Sequence, residues 1–214
     1  MVSSTVGYLF DMDGTLVDSH AVVEAVWTEF CERHGLDPRV VISFAHGRQA
    51  GDTVAHFLPA LSRETRAELV SGLVVEEVTR TDGIVEVPGA RRLLAALAER
   101  GAPVAIVTSA PRELAIARLN AAGVGIPDVL VAAEDVERGK PDPSCYLLAA
   151  QRLGVPIAGC VVFEDAEAGL AAGVASGGRT VVVGGHVSAT TDGLERIRDY
   201  TGAVPGVEHA AVTS

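Results

Sequence analysis

Short, uninterrupted apolar runs alternate with amphipathic stretches along most of this chain. The runs at 6–10, 104–107, 129–131, 160–163 and 180–183 are rich in Val and Ile and lack the alternation of a half-exposed strand. Such runs predict strands buried on both faces, as in a parallel sheet. Between them, 90–100, 112–121, 144–153 and 166–175 carry helical patterning. Pro88 opens the first of these and Gly101 closes it, the usual helix punctuation. Strand and helix in alternation predict an α/β fold with a doubly wound parallel sheet.

One region breaks the rhythm. From Ser19 to Glu86 no strand is evident. Val22, Val23, Val26, Trp27 and Phe30 share one helical face, with Glu24, Thr28, Glu29 and Arg33 opposite. Further helices are expected at 52–58 and 63–79. Residues 19–86 therefore read as a helical domain inserted after the first strand, with 1–18 and 87–214 forming the sheet domain. Asp18 and Ser19 fall at the hinge and helix start. Ligands of open α/β sheets bind beyond the carboxyl ends of the strands, so an insert placed there would act as a lid.

Composition narrows the function. The chain has 214 residues, 48% of them hydrophobic, which suits one or two globular domains and not a disordered chain. Its net charge of −11 argues against nucleic-acid and anionic-membrane partners. Cys31, Cys145 and Cys160 have no metal-site spacing and read as buried, reduced thiols. Met1 to Thr5 lacks a basic region, and the apolar run that follows ends at Asp11. Neither a leader nor a membrane-spanning helix is expected, and a cytoplasmic monomer is.

The densest chemical signal is Asp11-Met12-Asp13-Gly14-Thr15-Leu16, directly after the first apolar run. A calcium loop would need a preceding helix and glycine at its sixth position; here a strand precedes and the glycine is fourth. A polar strand-ending turn would explain one aspartate but not the whole string. Downstream, Thr108, Lys140 (in Gly139-Lys140-Pro141-Asp142-Pro143) and Glu164-Asp165 also lie just past a predicted strand or at a helix start. Singly each has a plainer reading. Thr108 could cap the helix near Pro111, Glu164 and Asp165 could favour a helix N-terminus, and Lys140 could be a solvated loop lysine. Their joint order is what favours a site.

Together these segments resemble the four motifs of the haloacid dehalogenase superfamily, over essentially the whole chain, with the insert in the place of a type 1 cap. The resemblance implies a phosphoryl-transfer enzyme. Asp11 would be the nucleophile and form an aspartyl-phosphate. Asp13 would protonate the leaving alkoxide and then activate water. Thr108, with the backbone N–H groups of Met12 and Ser109, would hold the phosphoryl oxygens, and Lys140 would offset their charge. Magnesium would be held by Asp11, Asp165, the backbone carbonyl of Asp13 and Glu164, an all-oxygen set that suits it. The second aspartate separates this chain from the dehalogenases, whose halide leaving group needs no proton.

The segment His46-Gly47-Arg48-Gln49-Ala50 resembles the cap loop of the hexitol and sugar phosphatase subgroup. It places His46, Gly47 and Arg48 against the substrate, a small phosphorylated sugar or polyol. The alternative within the family is a sugar phosphomutase similar to β-phosphoglucomutase. There an arginine three residues past the matching glycine binds a second phosphate; this chain has Ala50.

Overall fold

The computed structural model describes residues 6–207. The ends of the sheet domain expected from the sequence, 1–5 and 208–214, lie outside the described residues, as does the stretch Met1 to Thr5 read as lacking a leader.

In chain order the elements are β1 (Gly7–Phe10), β2 (Val17–Asp18), α1 (His20–His34), α2 (Pro38–Ala45), α3 (Ala50–Phe57), α4 (Arg63–Thr79) and β3 (Val85–Glu86). There follow α5 (Ala90–Glu99), β4 (Val104–Val107), α6 (Arg112–Ala121), β5 (Val129–Val131), α7 (Ser144–Leu153), β6 (Cys160–Glu164), α8 (Glu167–Ser176), β7 (Arg179–Val183) and β8 (Glu195–Ile197). Six strands form one parallel sheet in the order β5-β4-β1-β6-β7-β8. The sheet is the α/β, doubly wound arrangement that the Val and Ile runs predict.

Strand β1 is central, between β4 and β6, and all four of its residues are buried. The chain builds outward from it in both directions, so the crevice beyond its carboxyl end is the switch point where such sheets bind ligands. Apolar packing fixes that strand. The Phe10 and Phe163 rings stack with centroids 4.6 Å apart, and Tyr200 packs edge-on against both at 6.1 Å. Such aromatic pairs add to simple burial.

The insert has its own apolar centre, in which Val26, Trp27, Phe30, Val41, Val54 and Leu73 meet. The chain enters it through β2 and returns through β3, and these two short strands pair antiparallel. β3 is a correction to the sequence reading, which sees no strand from Ser19 to Glu86, and β2 is a strand it does not place. Helix α2 lies in the stretch read as helical but is not placed by the sequence reading. Its Val40, Val41 and Ile42 are strand-prone, but Pro38 fits the first helical turn and the Asp37 side chain accepts from the Arg39 N–H at 2.9 Å. The tail after His186, where the sequence shows weak periodicity, supplies β8 at the sheet edge. The hydroxyls of Ser188 and Thr190 tie it to Glu167.

Cys31, Cys145 and Cys160 are buried and free, as expected. Among the described residues no helix is long and apolar enough to cross a membrane.

Candidate active site

The carboxyl ends of β1, β4 and β6 bring the sequence-predicted residues together. Asp11 follows β1, Thr108 follows β4, Glu164 ends β6 and Asp165 follows it, while Lys140 enters from the loop before α7. Asp11, Asp13, Thr108, Ser109 and Asp165 line one cleft with His46, Gly47 and Arg48 of the insert. Lys140 and Glu164 lie beneath that cleft, 1% and 0% exposed.

Lys140 is held at three points. Its Nζ donates to Asp11 Oδ1 at 2.5 Å, Glu164 Oε1 at 2.7 Å and the Val107 carbonyl at 3.1 Å. Glu164 is fixed in turn. Its Oε1 also accepts from the Tyr146 hydroxyl at 2.7 Å, and its Oε2 accepts from the backbone N–H groups of Asp165 and Ala166. Burial, then Glu164, hold the Tyr146 hydroxyl protonated and able to donate. Burial alone would push the lysine down, but Asp11 and Glu164 outweigh it, so the ammonium stays charged. A Cβ on Gly169 would fall 1.6 Å from Glu164, so only glycine leaves room for this carboxylate under α8.

Asp11, Glu164 and Asp165 each offer an oxygen within 4.8 Å of the others. One ammonium does not neutralise three clustered carboxylates, of which Asp11 and Glu164 are buried. The strain appears in their titration: burial, then Glu164, raise Asp11 well above its ordinary value, and the same causes push Asp165 up to about 8. Such a group asks for more positive charge, and its oxygen donors suit a hard divalent cation. Thr15 Oγ1 orients Asp165 at 3.1 Å, and Gly14 lets it approach: a Cβ there would sit 2.1 Å from Asp165 Oδ2.

Asp13 faces elsewhere. Its Oδ1 accepts from the Ser19 hydroxyl at 2.6 Å and its Oδ2 from Arg118 Nη1 at 2.9 Å. The carboxylate stands outside the acidic group, which leaves its backbone carbonyl as the atom expected to ligate. Ser19 sits at the N-cap position of α1, yet its side chain makes no cap and serves Asp13 instead. Thr108 Oγ1 accepts from the Ala110 N–H at 3.0 Å. Thr108 therefore does not cap α6, whose N-cap position is Pro111 without a side-chain cap; its oxygen is used by the turn before the helix, and the hydroxyl proton remains to be donated to an anion.

The loop after α2 is seated on the sheet domain. Ser109 Oγ donates to the Gly47 carbonyl at 2.8 Å, and Gln49 Nε2 donates to the Ala133 carbonyl at 3.1 Å. Arg48 lies over the Phe44 ring, 4.5 Å from its centroid. His46 is lowered by burial, then by His20, and is neutral near pH 7; its Nε2 is buried without a hydrogen-bond partner among the described residues.

Sequence reasoning missed Tyr146, Thr15, Gln49, Glu77 and Arg118. The last two had a visible signal. Arg118 lies on the buried stripe of α6 with Leu114, Ala115 and Leu119, and Glu77 lies one turn past Leu73 on that of α4. A charge on an apolar stripe is rarely left unpaired.

A family model for haloacid dehalogenase-like hydrolases matches residues 6–177. The chain belongs to that family. It is 47% identical over 177 residues to hexitol phosphatase A of Escherichia coli, covering 83% of this chain and 82% of that one. It is 35% identical over 201 residues to glycerol-1-phosphate phosphohydrolase 2 of Saccharomyces cerevisiae, covering 89% and 77%. In fold it resembles a β-phosphoglucomutase from Clostridium difficile with a TM-score of 0.81, at 20% identity and 92% coverage of each chain. This haloacid dehalogenase-like chain is an enzyme of the phosphatase type.

Proposed function

We propose that this enzyme is a magnesium-dependent phosphatase of small sugar or polyol phosphates that works through an aspartyl-phosphate. The observation that carries the reading is the buried Lys140 ammonium shared by Asp11 and Glu164, with Asp165 completing a three-carboxylate group. The relatives' names, a hexitol phosphatase and a glycerol-phosphate phosphohydrolase, supply the substrate class.

Asp11, Asp165, Glu164 and the Asp13 carbonyl would hold the metal. Bound there, magnesium supplies positive charge that lets one anion approach another. The chain's own residues do the rest. An Asp11 carboxylate oxygen bonds to phosphorus as the ester P–O bond breaks, and Asp13 gives its proton to the departing alkoxide. Asp13 then takes a proton from water, whose oxygen bonds to phosphorus while the bond to Asp11 breaks. Inorganic phosphate leaves and both aspartates are restored. Thr108 and the Ser109 N–H hold the phosphoryl oxygens, and Lys140 offsets their charge from beneath throughout. Residues 19–86 act as the cap, with His46, Gly47 and Arg48 over the non-reacting end of the substrate.

A phosphate-release screen over hexitol, 2-deoxyglucose 6-, glycerol, nucleotide and acid phosphates tests this. Turnover of the sugar and polyol esters should appear with magnesium, vanish with EDTA and return on adding magnesium. Magnesium alone should also raise the melting temperature of the chelator-treated protein. Conversion of glucose 1-phosphate to glucose 6-phosphate without free phosphate would instead make it a mutase.

A further inference from the structure

Arg118 is the buried charge that the proposed chemistry leaves unused. It stands on α6 of the sheet domain, 4% exposed, and lines the cleft. Its Nη1 donates to Asp13 at 2.9 Å. Its Nη2 lies 3.2 Å from Glu77 Oε1 of the cap helix α4, out of line for a hydrogen bond. Its Nε has no hydrogen-bond partner among the described residues. Glu77 is itself 6% exposed. One guanidinium thus joins the acid expected to move protons in the sheet domain to a carboxylate in the cap, and its cap end is unfinished.

We propose that Arg118 is a positioning residue for Asp13 and that Glu77 sets Arg118 according to where the cap lies. The guanidinium is a rigid planar fork. A small shift of α4 that brings Glu77 into line with Nη2 turns the whole fork, and Nη1 carries Asp13 with it. In the arrangement seen here both Asp13 oxygens are accepting, one from Ser19 and one from Arg118. Proton transfer to a leaving alkoxide needs one of them turned toward the substrate. The cap and the proton donor are therefore linked through a single side chain. No atom of Arg118 takes part in the bond-making steps.

This inference rests on Asp13 acting as general acid and base, and its test uses leaving groups. Alkyl phosphates such as glycerol phosphate expel a strongly basic alkoxide that must be protonated. 4-Nitrophenyl phosphate expels a weakly basic phenolate that need not be. Arg118→Lys keeps the charge but loses the fork, and Glu77→Gln keeps the shape but loses the charge. The ratio of kcat/KM for glycerol phosphate to that for 4-nitrophenyl phosphate should fall about tenfold in each variant, with thermal unfolding confirming that both are folded. A residue that only supports the fold lowers both substrates together and leaves the ratio where it was. A ratio within about threefold of wild type in Arg118→Lys overturns the positioning role. The same result in Glu77→Gln alone overturns the cap's part in it. Wild-type protein that hydrolyses neither ester removes the phosphatase reading itself, whereas hydrolysis of both with unchanged ratios removes only this inference.

Discussion

The two halves of the cleft are built differently. On the sheet side the charged groups beneath the nucleophile are held at every polar atom. Lys140 donates to Asp11, Glu164 and Val107, and Glu164 accepts from Lys140, Tyr146 and two backbone N–H groups. On the cap side polar atoms are waiting: among the described residues His46 Nε2 is buried without a partner, Arg48 rests on its neighbour Phe44, and Arg118 Nε, on α6 where the sheet domain meets the cap, is unpartnered too. Groups that stabilise a transition state gain by being fixed beforehand, because reorienting them during reaction costs free energy. Groups that recognise a substrate can be completed by the substrate itself. On the proposed function, the difference would separate chemistry, prearranged in the sheet domain, from selection, which the cap would finish.

The sharpest way to break this division is to remove the nucleophile. Asp11→Asn should lower turnover by about 10⁴-fold or more on every phosphate ester, since an amide does not form the phosphoenzyme. Circular dichroism and thermal unfolding should still report a folded protein. Near-normal rates in this variant would falsify the covalent mechanism.

Next in size is Lys140→Met. It leaves Asp11 and Glu164 buried without their cation, so the loss should appear in stability as well as rate. A destabilisation of about 3–5 kcal/mol is expected, read as a shifted denaturant midpoint, with kcat reduced about 10²–10³-fold. A variant as stable as wild type would mean that the ammonium is not the tie that the geometry shows.

The same division explains what was legible in the sequence. Strands buried on both faces announce themselves as unbroken Val and Ile runs, and the sheet followed from them. Residues placed at strand ends by a fixed chain order were legible too, and Asp11, Thr108, Lys140, Glu164 and Asp165 do converge. Contacts between distant, unremarkable positions were not. Tyr146 reads as one more helix residue until its hydroxyl is seen 2.7 Å from Glu164. Arg118 meets Asp13 and Glu77 only because α6 packs beside the cap helix. Helix α2 was hidden by its strand-prone residues, and β8 by its sequence Glu195-Arg196-Ile197, in which two exposed charged residues leave no apolar run. Local pattern carries local structure and strand-end chemistry; it does not carry the partners that a fold brings together.

Substitutions on the cap side should touch selection and spare the chemistry. Arg48→Ala is expected to raise KM about tenfold for some sugar and polyol phosphates and less for others, with kcat changed little. It should not affect stability beyond the lost contact with Phe44, about 0.5–1 kcal/mol. An equal fall in kcat on all substrates would place Arg48 with the reacting groups and blur the contrast.

The smallest expected effect concerns the one cap carboxylate that is buried against the sheet domain. Burial raises the Glu77 carboxyl above its ordinary 4.5; Arg118 pulls it back and Asp13 adds to the rise. A carboxyl raised on folding binds its proton more tightly in the native state. Its contribution to stability is therefore fully present below pH 4.5 and is lost as pH climbs through the raised native value. Glu77→Gln has no charge to bury and escapes that loss. The stability curves of wild type and variant should run together in acid and part above it, the variant becoming the more stable as pH approaches neutrality. Denaturant unfolding at several pH values reads this directly. Curves that stay parallel would show that Arg118 compensates the buried carboxylate in full, and the cap side would then be as finished electrostatically as the sheet side.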